Sequence, residues 1–280
     1  MPLNADLAGK DYGETTYEVT AEAIEKFARA TNDLNDRYLG TDMVAPPIFA
    51  VVPAFKSFMD ASMDPELGAD MLRLLHAAEE HVLYTPITPG AVLTVASVLE
   101  SVDMTETGES FTIKVTETLA SGEVAAEVRG TMFIRGSAPR GAARRPISED
   151  EVPAEAEVVF EESTKVDDDQ MVRYAEASGD RNPIHLDPAV ARRAGLRRPI
   201  LHGMCTMAIA TKAAVNGLAG GDPTRVTRVA VRFSRPVLPG QELTTRLWPE
   251  TEGEGPDRFG FATLNPDGKA VINNGQVEIR

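Results

Sequence analysis

The sequence predicts an α+β protein of two tandem lobes, each a central helix wrapped by a curved antiparallel sheet. Three observations carry this. First, the chain matches itself without a gap at an offset of 147 residues. Thr20 falls on Asp167, Ile24 on Met171, Phe27 on Tyr174, Asp33 on Asp180 and Asn35 on Asn182. Second, the run from about Met204 to Ala219 is uniformly small and apolar, as in a helix buried nearly all round. Third, Val229, Val231 and Phe233 alternate with Ala230 and Arg232, as in an antiparallel strand covered on one side.

The elements follow in the same order in each half. A short amphipathic helix comes first, with residues 24, 27 and 28, or 171, 174 and 175, on one face. Thr20 and Asp167 read as its N-caps, and Asp167 with Gln170 reads as a capping box. A polar loop comes next. Pro46-Pro47-Ile48 and Arg198-Pro199-Ile200 then lead into the central helices, and Pro53 predicts that the first of these is broken or shortened. In the second half, strands are expected at about 226–234, 241–249, 257–265 and 270–279. Pro89-Gly90 and Pro239-Gly240 open corresponding strands, and 130–135 matches 275–280 at the last one. A Pro-, Gly- and Arg-rich stretch from Ser137 to Pro146, then an acidic one to Glu157, reads as surface linker. The expected division is a lobe at 1–137, a linker at 138–157 and a lobe at 158–280.

Composition narrows the function. A net charge of −15 over 280 residues argues against nucleic acid and anionic membranes as partners. No apolar run reaches the ~18 residues of a membrane span. The N-terminal residues do not resemble a signal peptide, and the end, Glu278-Ile279-Arg280, is not a peroxisomal address. With one cysteine, Cys205, no internal disulfide forms. The expected location is the cytoplasm.

The chemistry concentrates in 178–206. Asp180 precedes His185 by five residues, with Gly179, Asn182 and Pro183 shaping the loop between. An imidazole that titrates near neutral pH and a carboxylate can share, orient and deprotonate one water. Asn182 can fix the loop or the imidazole through its amide. Gly179, just past a helix end, suits a sharp turn toward the site. Gly203 begins the apolar helix, where a free backbone N–H carries positive potential and no side chain blocks approach. It is the candidate oxyanion donor. Ser178 and Thr206 are candidates for supporting hydrogen bonds near the substrate.

The segment 174–206, from Tyr174 through Ser178-Gly179-Asp180-Arg-Asn182-Pro183-Ile-His185 to Pro199-Ile-Leu-His202-Gly203, resembles the signature of MaoC-like dehydratases, specifically the (R)-specific enoyl-CoA hydratases of type 2. The stretch 231–240 is similar to the strand and turn that follow the central helix there. In the first half, Leu75-His76 and Tyr84-Thr-Pro-Ile-Thr-Pro89 look like the corresponding part of two-lobed members. The resemblance implies a double hot-dog fold with one active site per chain. It implies that Asp180 and His185 act on one water at C3 of a trans-2-enoyl thioester, giving an (R)-3-hydroxyacyl-CoA reversibly. It implies no cofactor beyond the CoA of the substrate. The alternatives are a hot-dog acyl-CoA thioesterase or a non-catalytic acyl-thioester-binding subunit. Acyl chain length, CoA versus acyl carrier protein, and monomer versus homodimer stay open.

CoA phosphates need cations. From Pro188 to Gln241 only Asp222 is acidic, against Arg192, Arg193, Arg197, Arg198, Lys212, Arg225, Arg228, Arg232 and Arg235. Arg197, Arg198, Arg232 and Arg235 flank the central helix, and guanidinium groups suit phosphate. In the first lobe Tyr38 stands where the offset puts His185, so that lobe is expected to bind an acyl tail rather than react. His202 is expected to be structural. No metal is expected: His76-Ala-Ala-Glu79-Glu80-His81 has the wrong spacing for an inverted zinc-peptidase helix.

Overall fold

The computed structural model describes residues 2–105, 108–136, 153, 156–250 and 256–280. The expected linker at 138–157 lies almost wholly outside the described residues.

The first half contributes β1 (Asp11–Glu18), α1 (Ala21–Ala30), α2 (Asp36–Leu39), α3 (Val51–Ser62), β2 (Leu74–Leu83), β3 (Val92–Thr105), β4 (Gly108–Leu119) and β5 (Val124–Ile134). The second contributes β6 (Phe160–Lys165), α4 (Gln170–Ser178), α5 (Pro188–Arg193), α6 (Gly203–Gly217), β7 (Val226–Phe233), β8 (Glu242–Pro249), β9 (Asp257–Leu264) and β10 (Ala270–Ile279). The strands form one sheet ordered β1-β3-β4-β5-β2-β7-β10-β9-β8-β6. Each half uses the same internal order, and the halves join where β2 pairs antiparallel with β7, from Ala78↔Arg232 to Val82↔Arg228. This is the double hot-dog arrangement: one continuous sheet with two central helices on its inner face.

The central helices differ as their sequences do. α6 is a 15-residue helix whose residues 204–211 are all buried. Its Ala and Met side chains let it lie inside the sheet. α3 is shorter, 12 residues, but it is not broken. Pro53 is its third residue, a position where a backbone N–H has no partner within the helix to lose. A short 3₁₀ turn over Pro47–Ala50 leads into it.

The two opening helices pack on each other above the seam, with the rings of Phe27 (α1) and Tyr174 (α4) 5.8 Å apart. Thr20 caps α1 as expected, its Oγ1 accepting from the N–H of Ala23. The capping box expected at Asp167 is only half made. The N–H of Asp167 donates to Gln170 Oε1, but its carboxylate takes Arg173 at 2.6 Å and Asn32 at 3.0 Å. A charged guanidinium outcompetes a backbone N–H for that carboxylate. Asp169 therefore caps α4, without a side-chain bond. A second correction concerns 76–81, which lie on strand β2 rather than a helix. Pairing to β5 on one side and β7 on the other overrides the helical leaning of Ala and Glu.

Candidate active site

α4 stops at Gly179, whose φ of +81° only glycine adopts without strain, and the chain turns back toward the seam. The loop is then wired residue by residue. Ser178 Oγ donates to the Tyr174 carbonyl and accepts from the N–H of Asp180. One Asp180 oxygen accepts from the N–H of Asn182. Asn182 Oδ1 accepts from the N–H of Ile184, opening a 3₁₀ turn over Pro183–His185. Of the two roles open to Asn182, fixing the loop is the one made here.

His185 is buried, and its Nδ1 lies 2.8 Å from the carbonyl of Ile200. A carbonyl only accepts, so Nδ1 carries the proton and Nε2 keeps its lone pair. Burial lowers the His185 pKa, while the Asp180 charge and the Ile200 carbonyl pull it upward; the net shift is downward. The imidazole is therefore a neutral base near neutral pH, beside a half-buried carboxylate.

A second histidine, expected to be structural, lies against the first. His202, the N-cap of α6, stacks on His185 with ring centroids 3.8 Å apart and planes 27° apart. Its Nε2 donates to the backbone carbonyl of Asp180 at 3.0 Å. Burial, and then the proximity of His185, push its pKa down to about 2. The Tyr174 ring packs against His202 at a tilt of 46°, centroids 4.9 Å apart. The offset alignment could have hinted at Tyr174, since it falls on buried Phe27. Nothing in the sequence spacing placed His202 against His185.

Asp180, His185 and His202 bring one donor atom each to within 4.8 Å of one another. The ring nitrogens' lone pairs lie in the ring planes. His202 Nε2 carries the proton that it gives to the Asp180 carbonyl, so of the two Nε2 atoms only that of His185 keeps a lone pair.

Gly203 is the first residue of α6, so its N–H has no carbonyl a turn earlier to bond. Thr206 Oγ1 donates to the His202 carbonyl, bracing that first turn. Ser178 and Thr206 thus both support the loop backbone. Cys205 is fully buried, and burial pushes its thiol up, away from nucleophilic use.

The arginines sort themselves. Arg228 pairs with Glu80 and Glu278, and Lys212 pairs with Glu162. Arg225 donates to the Arg280 carbonyl. Arg197, Arg198 and Arg232 are exposed, with Arg198 donating to the Pro239 carbonyl. Arg235 is half-buried and donates to the Ala270 carbonyl.

In the first lobe, Asp33 and Asn35 keep the loop wiring, with Asp33 Oδ1 accepting from the N–H of Asn35. Asn35 Nδ2 donates to the Gly221 carbonyl of the other lobe. Tyr38 is fully buried, and its hydroxyl has no hydrogen-bond partner among the described residues.

Fold and site together describe a double hot-dog carrying an acid–histidine loop beside a helix start. Residues 150–260 match the MaoC like domain, and residues 6–128 match the FAS1-like dehydratase domain region. The chain is 31% identical to enoyl-CoA hydratase 2, peroxisomal, of Arabidopsis thaliana, over 86% of this chain and 80% of that one. It is also 31% identical to mouse peroxisomal multifunctional enzyme type 2, over 96% of this chain; it spans only 36% of that longer protein. A MaoC-like dehydratase from Phytophthora capsici superposes with a TM-score of 0.83, covering 99% of this chain and 98% of that one at 23% identity, a likeness of fold. The chain belongs to the MaoC-like dehydratase family, among its two-lobed enoyl-CoA hydratase 2 members. Among the described residues no helix is long and apolar enough to cross a membrane.

Proposed function

We propose that the protein is a hydro-lyase that reversibly hydrates trans-2-enoyl-CoA to (R)-3-hydroxyacyl-CoA in fatty-acid metabolism. The observation that carries this is His185, its Nδ1–H held by the Ile200 carbonyl and its pKa lowered by burial, beside the Asp180 carboxylate and stacked on His202 at the start of α6.

The chemistry follows from those atoms. A water between Asp180 and His185 Nε2 loses a proton to the pair as its oxygen bonds to C3. The C2=C3 π electrons move toward the thioester, whose oxygen takes on enolate charge. The N–H of Gly203 and the positive end of α6 stabilise that charge; losing one such donor typically costs ~3–4 kcal/mol. C2 then takes a proton from the same pair, and no redox step or cofactor enters. The first transfer belongs to the coupled pair rather than to one member.

Arg197, Arg198, Arg232 and Arg235 are our candidates for the CoA phosphates. Arg228 and Lys212 pair with carboxylates of the protein, and Arg235 is held at the Ala270 carbonyl. The first lobe, with Tyr38 in place of a histidine, takes the acyl tail. The remaining partners we assign are none on nucleic acid or membrane, with the chain acting as monomer or homodimer. We read the location as cytoplasmic, although the two relatives above are named peroxisomal; cell fractionation decides it.

The test is the ultraviolet loss of the enoyl-thioester band with purified protein and trans-2-enoyl-CoA, no cofactor added. Asp180→Asn should fold and lose at least about a hundredfold in rate, the lower end for removing an acid–base group. Full activity in that variant sinks the site. Release of free thiol would instead support the thioesterase reading.

A further inference from the structure

His76, Glu79 and His81 form a second polar cluster, on β2 at the lobe seam. Residues two apart on a strand share a face, so 79 and 81 belong together and 76 does not. A register shift against β5 between His76 and Ala78 reverses that parity and brings His76 in. Glu79 then lies between the two rings, 2.8 Å from His76 Nε2 and 3.1 Å from His81 Nε2. Its side chain has no exposed surface. Burial by itself raises the Glu79 pKa, but the two imidazoles outweigh it and hold the group below its ordinary value. A carboxylate only accepts, so each ring gives it an Nε2–H and is fixed in plane by doing so.

The fixed ring of His76 reaches toward the active site. It meets Phe233 of β7 edge-on, centroids 5.0 Å apart at 61°. Phe233 in turn packs on the start of α6: a Cβ on Gly203 would stand 3.3–3.5 Å from its ring atoms. Glu79, His76, Phe233 and Gly203 thus follow one another from one lobe to the candidate oxyanion donor of the other, Phe233 filling the space where a Cβ on Gly203 would point.

We infer that His76, clamped by Glu79, is a positioning residue for the hydration: it holds Phe233 as the wall against which the thioester carbonyl meets the Gly203 N–H. This rests on Gly203 having the role given above. The thioester oxygen gains its charge only in the transition state. A wall that loosens therefore harms the transition state more than the bound substrate.

The experiment is steady-state hydration of one trans-2-enoyl-CoA by wild type, His76→Ala, Phe233→Leu and the double variant, with circular dichroism confirming the fold. His76→Ala and Phe233→Leu should each lower kcat by about tenfold while KM moves less than about twofold, the signature of an interaction made in the transition state. The double variant should be no slower than Phe233→Leu alone, because His76 acts through that ring. A purely structural role would not produce that split or that non-additivity. Wild-type kcat in folded His76→Ala, a loss confined to KM, or losses that multiply in the double variant would each overturn the inference. Should His76→Ala not fold, His76→Gln removes the ring while keeping a donor for Glu79 and is read the same way. Asp180→Asn runs in parallel. If it stays active, the site reading itself is wrong; if it is dead while His76→Ala keeps its kcat, only the positioning role falls.

Discussion

The imidazole of His202 lies face to face with that of His185, 3.8 Å away, while its Nε2 donates to the backbone carbonyl of Asp180. One side chain therefore fixes the ring of the base and the backbone of the acid. Truncation should be costly. His202→Ala leaves a partly buried carbonyl unpaired, a loss of ~1 kcal/mol or more, and it frees the His185 ring to tilt. The expected outcome is a fall in kcat of at least about tenfold, with His202→Phe in between because it keeps the stacking surface and loses the bond. Steady-state kinetics on the three proteins checks this; equal rates for His202→Phe and His202→Ala would remove stacking from the account.

The pH profile of kcat/KM should keep its acid side low. Catalysis needs His185 neutral, and burial lowers its pKa despite the opposing pull of Asp180. Protonation, and with it the loss of rate, therefore begins below the ordinary histidine value of ~6.5. In Asp180→Asn the upward pull is gone, so the residual activity should persist to still lower pH. An acid limb centred above the ordinary value would contradict the neutral-base assignment.

His202 also links stability to pH. Its folded pKa of about 2 lies far below the ordinary 6.5. Above pH 6.5 both states leave it neutral and no difference arises. As pH falls below 6.5, the unfolded chain takes up a proton that the fold refuses. Stability then drops by up to ~1.4 kcal/mol per pH unit until the folded pKa is reached. Urea unfolding at pH 7 and pH 5 should show that slope in wild type and a shallower one in His202→Phe. Identical slopes would mean that the ring is solvated in the fold.

Much of this was legible in the sequence, for physical reasons. The duplicated helix faces, the alternation along β7 and the small apolar run of α6 each follow from burial, and burial writes itself into residue type. The Asp180–His185 loop was legible because it is local: capping, Gly179 and the 3₁₀ turn act within a few residues. What stayed hidden is what folding joins at a distance. The stack of His202 on His185 spans the whole α5 segment, and the meeting of His76 with Phe233 depends on a strand bulge and on β2–β7 pairing. Pro53 was right as a sign of a shorter helix and wrong as a sign of a broken one, because a proline breaks a helix in its middle and is tolerated in its first turn, and spacing alone did not say which.

Asp33 offers a test of the division of labour between lobes. It is the offset counterpart of Asp180, but it is buried, and among the described residues no cation is bonded to it. Burial raises its pKa from 3.8 to about 6, against the pull of the Asn35 N–H and Lys212. At neutral pH the native state thus holds a carboxylate that the unfolded chain would ionise more easily, at a cost of up to about 3 kcal/mol. Asp33→Asn keeps the acceptor for the Asn35 N–H and removes the charge. It should raise stability at pH 7, and the gain should shrink as pH falls from about 6 and vanish below 3.8, where both forms are neutral. Denaturant midpoints of the two proteins across that range measure it. The rate of hydration should stay at the wild-type level, because Tyr38 leaves this loop without a base. A hundredfold loss of rate would instead make the first lobe a partner in the chemistry.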